Sequence, residues 1–149
     1  PAQFCAGEME AAVVEAWEAE HPEVIIIEGQ GALSHPAYLT SAYILRGSRP
    51  QAVVLQHAPE RHRLSDFGTL KTPTAASEIN LIETFADTKV IGLTINHENM
   101  DDGEVTDAIT TYEAELGIPV TDALTRPASN LVDMVLGALP ELRRANTVL

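Results

Sequence analysis

With 149 residues, 45% of them hydrophobic and only 5% aromatic, the chain can bury one sizeable core built from Ile, Val, Leu and Ala, the usual composition of a parallel sheet covered by helices. Twenty-two Asp and Glu against nine Lys and Arg leave a formal charge of −13, which repels phosphate backbones and anionic lipid surfaces and so excludes nucleic acid and membranes as expected partners; an acidic cytosol alone would select the same balance. The single cysteine, Cys5, excludes an internal disulfide, and the absence of a leader-like or membrane-length apolar run makes a cytoplasmic protein the expectation. One α/β domain over residues 1–149 is expected, and a start at Pro1 without Met suggests the C-terminal fragment of a larger protein.

The first predicted element is a helix from Ala6 to Glu20, with Met9, Ala12, Val13, Ala16 and Trp17 at helical spacing and Pro22 ending it. Val24 to Ile27, four consecutive β-branched residues, predicts a strand buried on both faces, with Glu28-Gly29-Gln30-Gly31-Ala32-Leu33 as its terminal turn. Open parallel sheets bind ligands beyond the carboxyl ends of their strands, so Glu28 falls where chemistry would be. Gly29 and Gly31 lack the Cβ atoms that keep a ligand off the backbone, although a tight turn without a ligand asks for the same residues. Tyr38 to Arg46 predicts a short helix closed by Gly47 and Pro50, and Ala52 to Gln56 a second buried strand. That strand runs into His57-Ala58-Pro59-Glu60-Arg61-His62-Arg63, a basic cluster in an acidic chain that suits an anionic ligand group.

Leu64 to Thr74 reads as an irregular surface loop able to close over a site. Thr74 then caps a helix with Ile79, Ile82, Phe85 and Ala86 on one face, and Val90 to Ile95 predicts a third strand that delivers Asn96 and His97 to its end. Asp101 and Glu104 form a capping pair for a helix from Asp102 to Leu116, whose inward residues are Val105, Ala108, Ile109, Tyr112 and Leu116 and whose C′ residue is Gly117. Ile118-Pro119-Val120 predicts a short edge strand closed by Asp122. Ser129 caps a last helix with Leu131, Val132, Val135, Leu136 and Leu139 inward, and the tail from Arg143 to Leu149 is frayed or docked on another chain. The fold class is therefore α/β, a mostly parallel sheet of about four strands with helices on both faces. Four strands are few for such a sheet, so a second copy or a separate N-terminal half is expected to complete one edge.

A carboxylate at the end of a buried strand is where phosphate-handling α/β proteins hold Mg²⁺, and Glu28 fits that description; a turn cap or an ion pair with a nearby Arg explains it equally. His35, His57, His62 and His97 lack the helical i, i+4 spacing that fixes a metal site, and an anion clamp from His57 and Arg61 competes with a solvated loop. Ser34, His57 and Asp66 could be assembled as a triad, but no Gly-x-Ser-x-Gly elbow supports it. The sequence contains no Gly-x-x-x-x-Gly-Lys-Ser/Thr phosphate loop and no Gly-x-Gly-x-x-Gly fingerprint after a strand, so these residues alone are expected to bind a nucleoside triphosphate poorly.

The run Val24-Ile25-Ile26-Ile27-Glu28-Gly29-Gln30-Gly31-Ala32-Leu33-Ser34-His35-Pro36-Ala37-Tyr38 resembles the central motif of a bacterial and archaeal family long catalogued as a domain of unknown function. Its members are often labelled NAD-dependent epimerases or dehydratases and include D-glutamate and D-amino-acid N-acetyltransferases. The resemblance continues through Gly47-Ser48-Arg49-Pro50, Ala52 to His57, Pro59, Arg61, Val90 to Asn96 and Gly117 to Asp122. It implies the C-terminal half of a P-loop-like three-layer sandwich, with the phosphate loop in sequence before Pro1. A more distant similarity to dethiobiotin-synthetase-like proteins implies that Glu28 contacts Mg²⁺ or substrate and that Asn96 reads a nucleotide base. The implied activity is N-acyl transfer from acetyl-CoA to D-glutamate or a similar D-amino acid, the fragment alone being inactive; an ATP- and Mg²⁺-dependent ligase or a non-catalytic nucleotide-binding module is the alternative. The expected site thus comprises Glu28 as catalytic and candidate Mg²⁺ carboxylate, Gly29, Gln30, Gly31 and Asn96 toward the cofactor, and His35, Tyr38, His57 and Arg61 toward a small carboxylate substrate or another anion.

Overall fold

An apolar run becomes a strand only where a neighbour takes up its backbone N–H and C=O groups, and in the computed structural model, which describes residues 1–143, that condition selects among the predicted strands. The elements in chain order are α1 (Ala2–Glu20), α2 (Thr40–Ser48), β1 (Ala52–His57), β2 (Arg63–Leu64), β3 (Phe67–Lys71), α3 (Ala75–Phe85), β4 (Lys89–Ile95), α4 (Asp102–Leu116), β5 (Val120–Asp122), α5 (Ser129–Ala138) and a 3₁₀ turn, Pro140–Arg143. Strands β1, β4 and β5 form a parallel sheet in the order β1-β4-β5. β1 pairs with β4 from Ala52↔Lys89 to His57↔Ile95, with a shift between Val53 and Val54, and β4 pairs with β5 from Leu93↔Val120 to Ile95↔Asp122. His57, Ile95 and Asp122 therefore share one row at the carboxyl end of the sheet.

Successive residues of β4 point to opposite faces, and each face carries helices. Leu93 and Ile95 pack with Ala75 of α3 and with Ile109, Tyr112 and Leu116 of α4, Leu93 being wholly buried. On the other face Gly92 lets α5 sit directly on the backbone, since a Cβ there would lie 2.0 Å from the Met134 sulfur. A second cluster, Leu45, Ile82 and Val90, joins α2 and α3 to the start of β4. The cap predictions hold at two helices: Thr74 Oγ1 accepts from Ser77 N at 3.1 Å, and Asp101 and Glu104 exchange backbone N–H bonds at 2.8 and 2.9 Å ahead of α4. Gly117 ends α4 at φ 66°, where glycine carries no Cβ penalty.

Several expectations change. Val24 to Ile27 is not a strand: no described strand lies against it, and Val24 and Ile26 are 51% and 91% exposed. Together with Leu131, Val132, Val135 and Leu136 they line an open apolar groove of about 400 Å³. Among the described residues the parallel sheet has three strands, close to the expected four, and the expected loop from Leu64 contains an antiparallel hairpin, β2 with β3. Gly47 does not close α2, which runs to Ser48 and ends on Arg49 at φ 46°; its role is the crossing with α1, where a Cβ would meet the Ala6 carbonyl oxygen at 2.3 Å. Among the described elements α1 packs chiefly on α2, and Ala12, Ala16 and Trp17 of its predicted inward face are exposed. Ala128, not Ser129, is the N-cap of α5, which buries Met134 while Val132 is 55% exposed. The expectation for the tail falls on residues 144–149, outside the described residues.

Candidate functional site

The carboxyl ends of β1, β4 and β5 bring a set of polar side chains to one rim, and a histidine–aspartate pair lies at its centre. Asp122, the last residue of β5, is 1% exposed. Its Oδ1 accepts from the backbone N–H groups of Leu124 at 2.7 Å and Thr125 at 3.0 Å, and its Oδ2 lies 2.5 Å from His97 Nδ1. Burial works to raise the Asp122 carboxyl, but the two backbone donors and the His97 ring outweigh it and hold the group below the usual carboxylate range. An ionised Asp122 can only accept, so His97 Nδ1 is the donor of this pair and Nε2 takes no part in it. The His97 side chain is 34% exposed, two residues beyond the end of β4.

Asn96 stands between β4 and His97. Its N–H donates to the His57 carbonyl at 2.7 Å, tying the ends of two strands together, and its Oδ1 accepts from Glu98 N at 3.2 Å. His57 itself is half-buried edge-on against Tyr112 of α4, with ring centroids 5.5 Å apart. Burial pushes the His57 imidazole below its ordinary value against the opposing charge of Glu115, and burial also raises the Tyr112 phenol. The lowered pKa favours the neutral imidazole at neutral pH. The rest of the basic cluster is partnered: Arg61 donates twice to Glu98 Oε2, His62 lies 3.7 Å from Glu60, and Arg63 donates to the carbonyls of Gly68 and Thr69.

The glycine-rich segment is built separately. Thr40 and Ser41 at the start of α2 donate to the carbonyls of Gln30 and Gly31, and Gly31 takes φ 75° with Tyr38 Cβ 3.7 Å from where its own would lie. Around Gly29 an added Cβ would meet nothing within 4 Å, so the fold itself does not require glycine there. Buried Glu78 of α3 accepts from Leu33 N at 2.8 Å and holds the segment against that helix. His35 Nδ1 accepts from Ala37 N and Tyr38 N, both at 3.2 Å; its ring stacks on Tyr38 at 4.4 Å and meets Phe67 edge-on. The Tyr38 hydroxyl donates to Asp66, which raises its pKa, so the hairpin β2–β3 is fastened over this turn. Glu28 is exposed at the end of the unpaired segment, and the strand register that aligns His57, Ile95 and Asp122 does not extend to it. Among the described residues no three His, Cys, Asp or Glu side chains gather as a metal site. Glu28 would thus need ligands from elsewhere to hold Mg²⁺, and the residues present do not by themselves fit that ion.

The P-loop domain of DUF1611, described as a domain of unknown function, matches residues 1–132. The chain belongs to that family. The crystal structure of a DUF1611 family protein from Anabaena variabilis superposes with a TM-score of 0.81 at 29% identity, over 89% of this chain and 40% of that one. Two proteins named D-glutamate N-acetyltransferase are also similar: one from Pseudoalteromonas sp is 30% identical over 121 residues, and one from Tritonibacter scottomollicae is 28% identical over 115. These matches cover 77% and 72% of the present chain but 36% and 34% of those proteins, so it spans about a third of the length of the curated relatives it matches.

Within this DUF1611 domain, sequence reasoning named Asn96, His57 and Arg61 and placed His97 and Asp122 at strand ends without joining them. The signal was present in the topology: β4 and β5 are adjacent strands in a parallel sheet, so polar residues at their carboxyl ends are neighbours. Glu78 was missed because a glutamate in a helix looks solvated until the loop that it holds is known.

Proposed function

We propose that this domain contributes the acyl-acceptor wall of an N-acetyltransferase that moves an acetyl group from acetyl-CoA to the amino group of D-glutamate or a similar D-amino acid. The observation that carries the reading is the cluster of His57, Asn96, His97 and Asp122 at the carboxyl ends of parallel strands, where α/β proteins bind ligands, in a chain whose relatives bear that enzyme name. Arg61, exchanging Glu98 for a substrate carboxylate, gives the acidic amino acid a bidentate partner. The open backbone at Gly29, with Gln30 and Gly31, and the Asn96 amide are the parts available to the coenzyme. His35 and Tyr38 act through the turn that they lock, and no step is assigned to Mg²⁺.

The activity belongs to the full natural polypeptide that carries these residues, and the test uses that protein. Incubation with acetyl-CoA and D-glutamate is expected to release free thiol and form N-acetyl-D-glutamate, with L-glutamate and D-alanine poorer acceptors. Binding of acetyl-CoA or ATP without acetylation of any amino acid tried would overturn the transferase reading in favour of a nucleotide-binding module.

A further inference from the structure

We infer that His97 is the general base of this acyl transfer and that Asp122 is its positioning residue, an inference that rests on the transferase reading above. An amine nitrogen that attacks a thioester carbonyl becomes positively charged and has to give up a proton before a neutral amide can form. The site therefore has to accept a proton from the acceptor at a fixed place. Of the rim side chains, His97 is the one so arranged: its Nδ1 is committed to a buried, ionised carboxylate, which leaves Nε2 as the basic atom on a ring still 34% exposed. Asp122 is itself held by two backbone N–H groups on its other oxygen, so neither the plane nor the charge of the carboxylate is free to change with the ligand. Orientation of an imidazole by a buried aspartate is the arrangement that lets histidine take a proton and remain stabilised as imidazolium.

The step balances without a further reactant. After the acceptor's ammonium group has lost one proton to solvent, the amine nitrogen attacks the thioester carbonyl carbon of acetyl-CoA and the C–N bond forms. His97 Nε2 takes the second proton from that nitrogen, the C–S bond breaks, and the imidazolium returns the proton to the departing sulfur. The products are the N-acetyl amino acid and free coenzyme A thiol. His57, uncharged at neutral pH and packed edge-on against Tyr112, lacks a carboxylate that orients its ring and is not assigned this role.

The experiment compares wild-type full-length protein with His97→Gln, His97→Ala and Asp122→Asn, measuring kcat and KM together with thermal melting of each variant. General-base removal is expected to lower kcat by about 10² to 10⁴. KM should move by less than about threefold, since His97 is assigned to the transition state and not to substrate binding. Asp122→Asn is expected to lower kcat while retaining the backbone bonds to its side-chain oxygen. Imidazole added to His97→Ala should restore turnover, with substituted imidazoles ranking by their basicity, a dependence that a merely structural role would not produce. A wild-type enzyme that acetylates D-glutamate together with a folded His97→Gln that keeps its kcat would overturn the dyad and leave the transferase reading standing. Should His97→Gln fail to fold, the absence of any imidazole dependence in His97→Ala overturns it instead. A wild-type protein that acetylates nothing overturns both.

Discussion

Val24-Ile25-Ile26-Ile27 and Val90-Ile91-Gly92-Leu93-Thr94-Ile95 are both largely β-branched and apolar, each followed by a polar residue, and the structure treats them oppositely. The second is the middle strand of the sheet, with β1 on one side, β5 on the other and helices on both faces, and Leu93 and Ile95 are 0% and 2% exposed. The first pairs with no described strand and leaves Ile26 at 91% exposure. β-branched residues fit a pleated, half-buried surface, but that surface has to be provided by neighbours. The contrast extends to the side chains that follow. At the carboxyl ends of β4 and β5, His97 and Asp122 are held to 2.5 Å; past Ile27, Glu28 stands exposed.

The largest effect that sharpens this contrast is expected at Leu93. Its side chain lies among Ala75, Ile95 and Val120, and Leu93→Ala should destabilise the chain by about 2 to 5 kcal/mol, the range for a cavity left in a packed core. Urea unfolding checks it, and a loss below about 1 kcal/mol would mean that the central strand is less enclosed than its burial indicates.

A smaller effect, confined to one pH window, is expected at His57. Burial holds its folded-state pKa below the ordinary histidine value, so between that folded pKa and about 6.5 the unfolded chain carries more protons than the native one. The contribution of neutral His57 is thus complete above about pH 6.5 and is lost as pH falls toward the folded pKa. His57→Gln should flatten this part of the stability-against-pH curve relative to wild type and leave the difference between the two proteins constant above neutrality. A difference that instead grows with rising pH would reverse the sign argued here.

What was legible in the sequence follows from how far each signal depends on distant residues. The α4 capping box, the Thr74 cap and the strands at Val53 and Val90 rest on neighbours a few positions away or on a helical crossover, and these the residues state directly. The parallel α/β class followed from their alternation. The unpaired state of Val24 to Ile27 was not legible, because the run specifies a strand but not whether a partner is at hand. The hairpin at Phe67 to Lys71 was hidden by its glycine and polar residues, and it is fastened from outside by the Tyr38 hydroxyl on Asp66 and the His35 ring against Phe67. At the site, the motif drew attention to Glu28, while the pair with the tightest geometry came from two residues 25 positions apart that only the sheet register makes adjacent.

The smallest expected effect tests the comparison most directly. Ile26→Ser in the 149-residue chain should change stability by no more than about 0.5 kcal/mol, the range for an exposed position, despite removing a large apolar side chain. Hydrogen exchange should agree: amides of residues 24–27 are expected to exchange fast because no ladder holds them, while those of Leu93 and Ile95 should require opening of the sheet. A cost above about 1 kcal/mol for Ile26→Ser, accompanied by slow exchange in this segment, would mean that the groove shared with α5 is filled in solution. A dilution series then separates the sources: protection that weakens on dilution comes from a second copy, and protection independent of concentration comes from within the same polypeptide. In either case the difference between the two apolar runs would lie in the availability of a partner and not in the residues themselves, which is why a change at exposed Ile26 is more informative than one at enclosed Leu93.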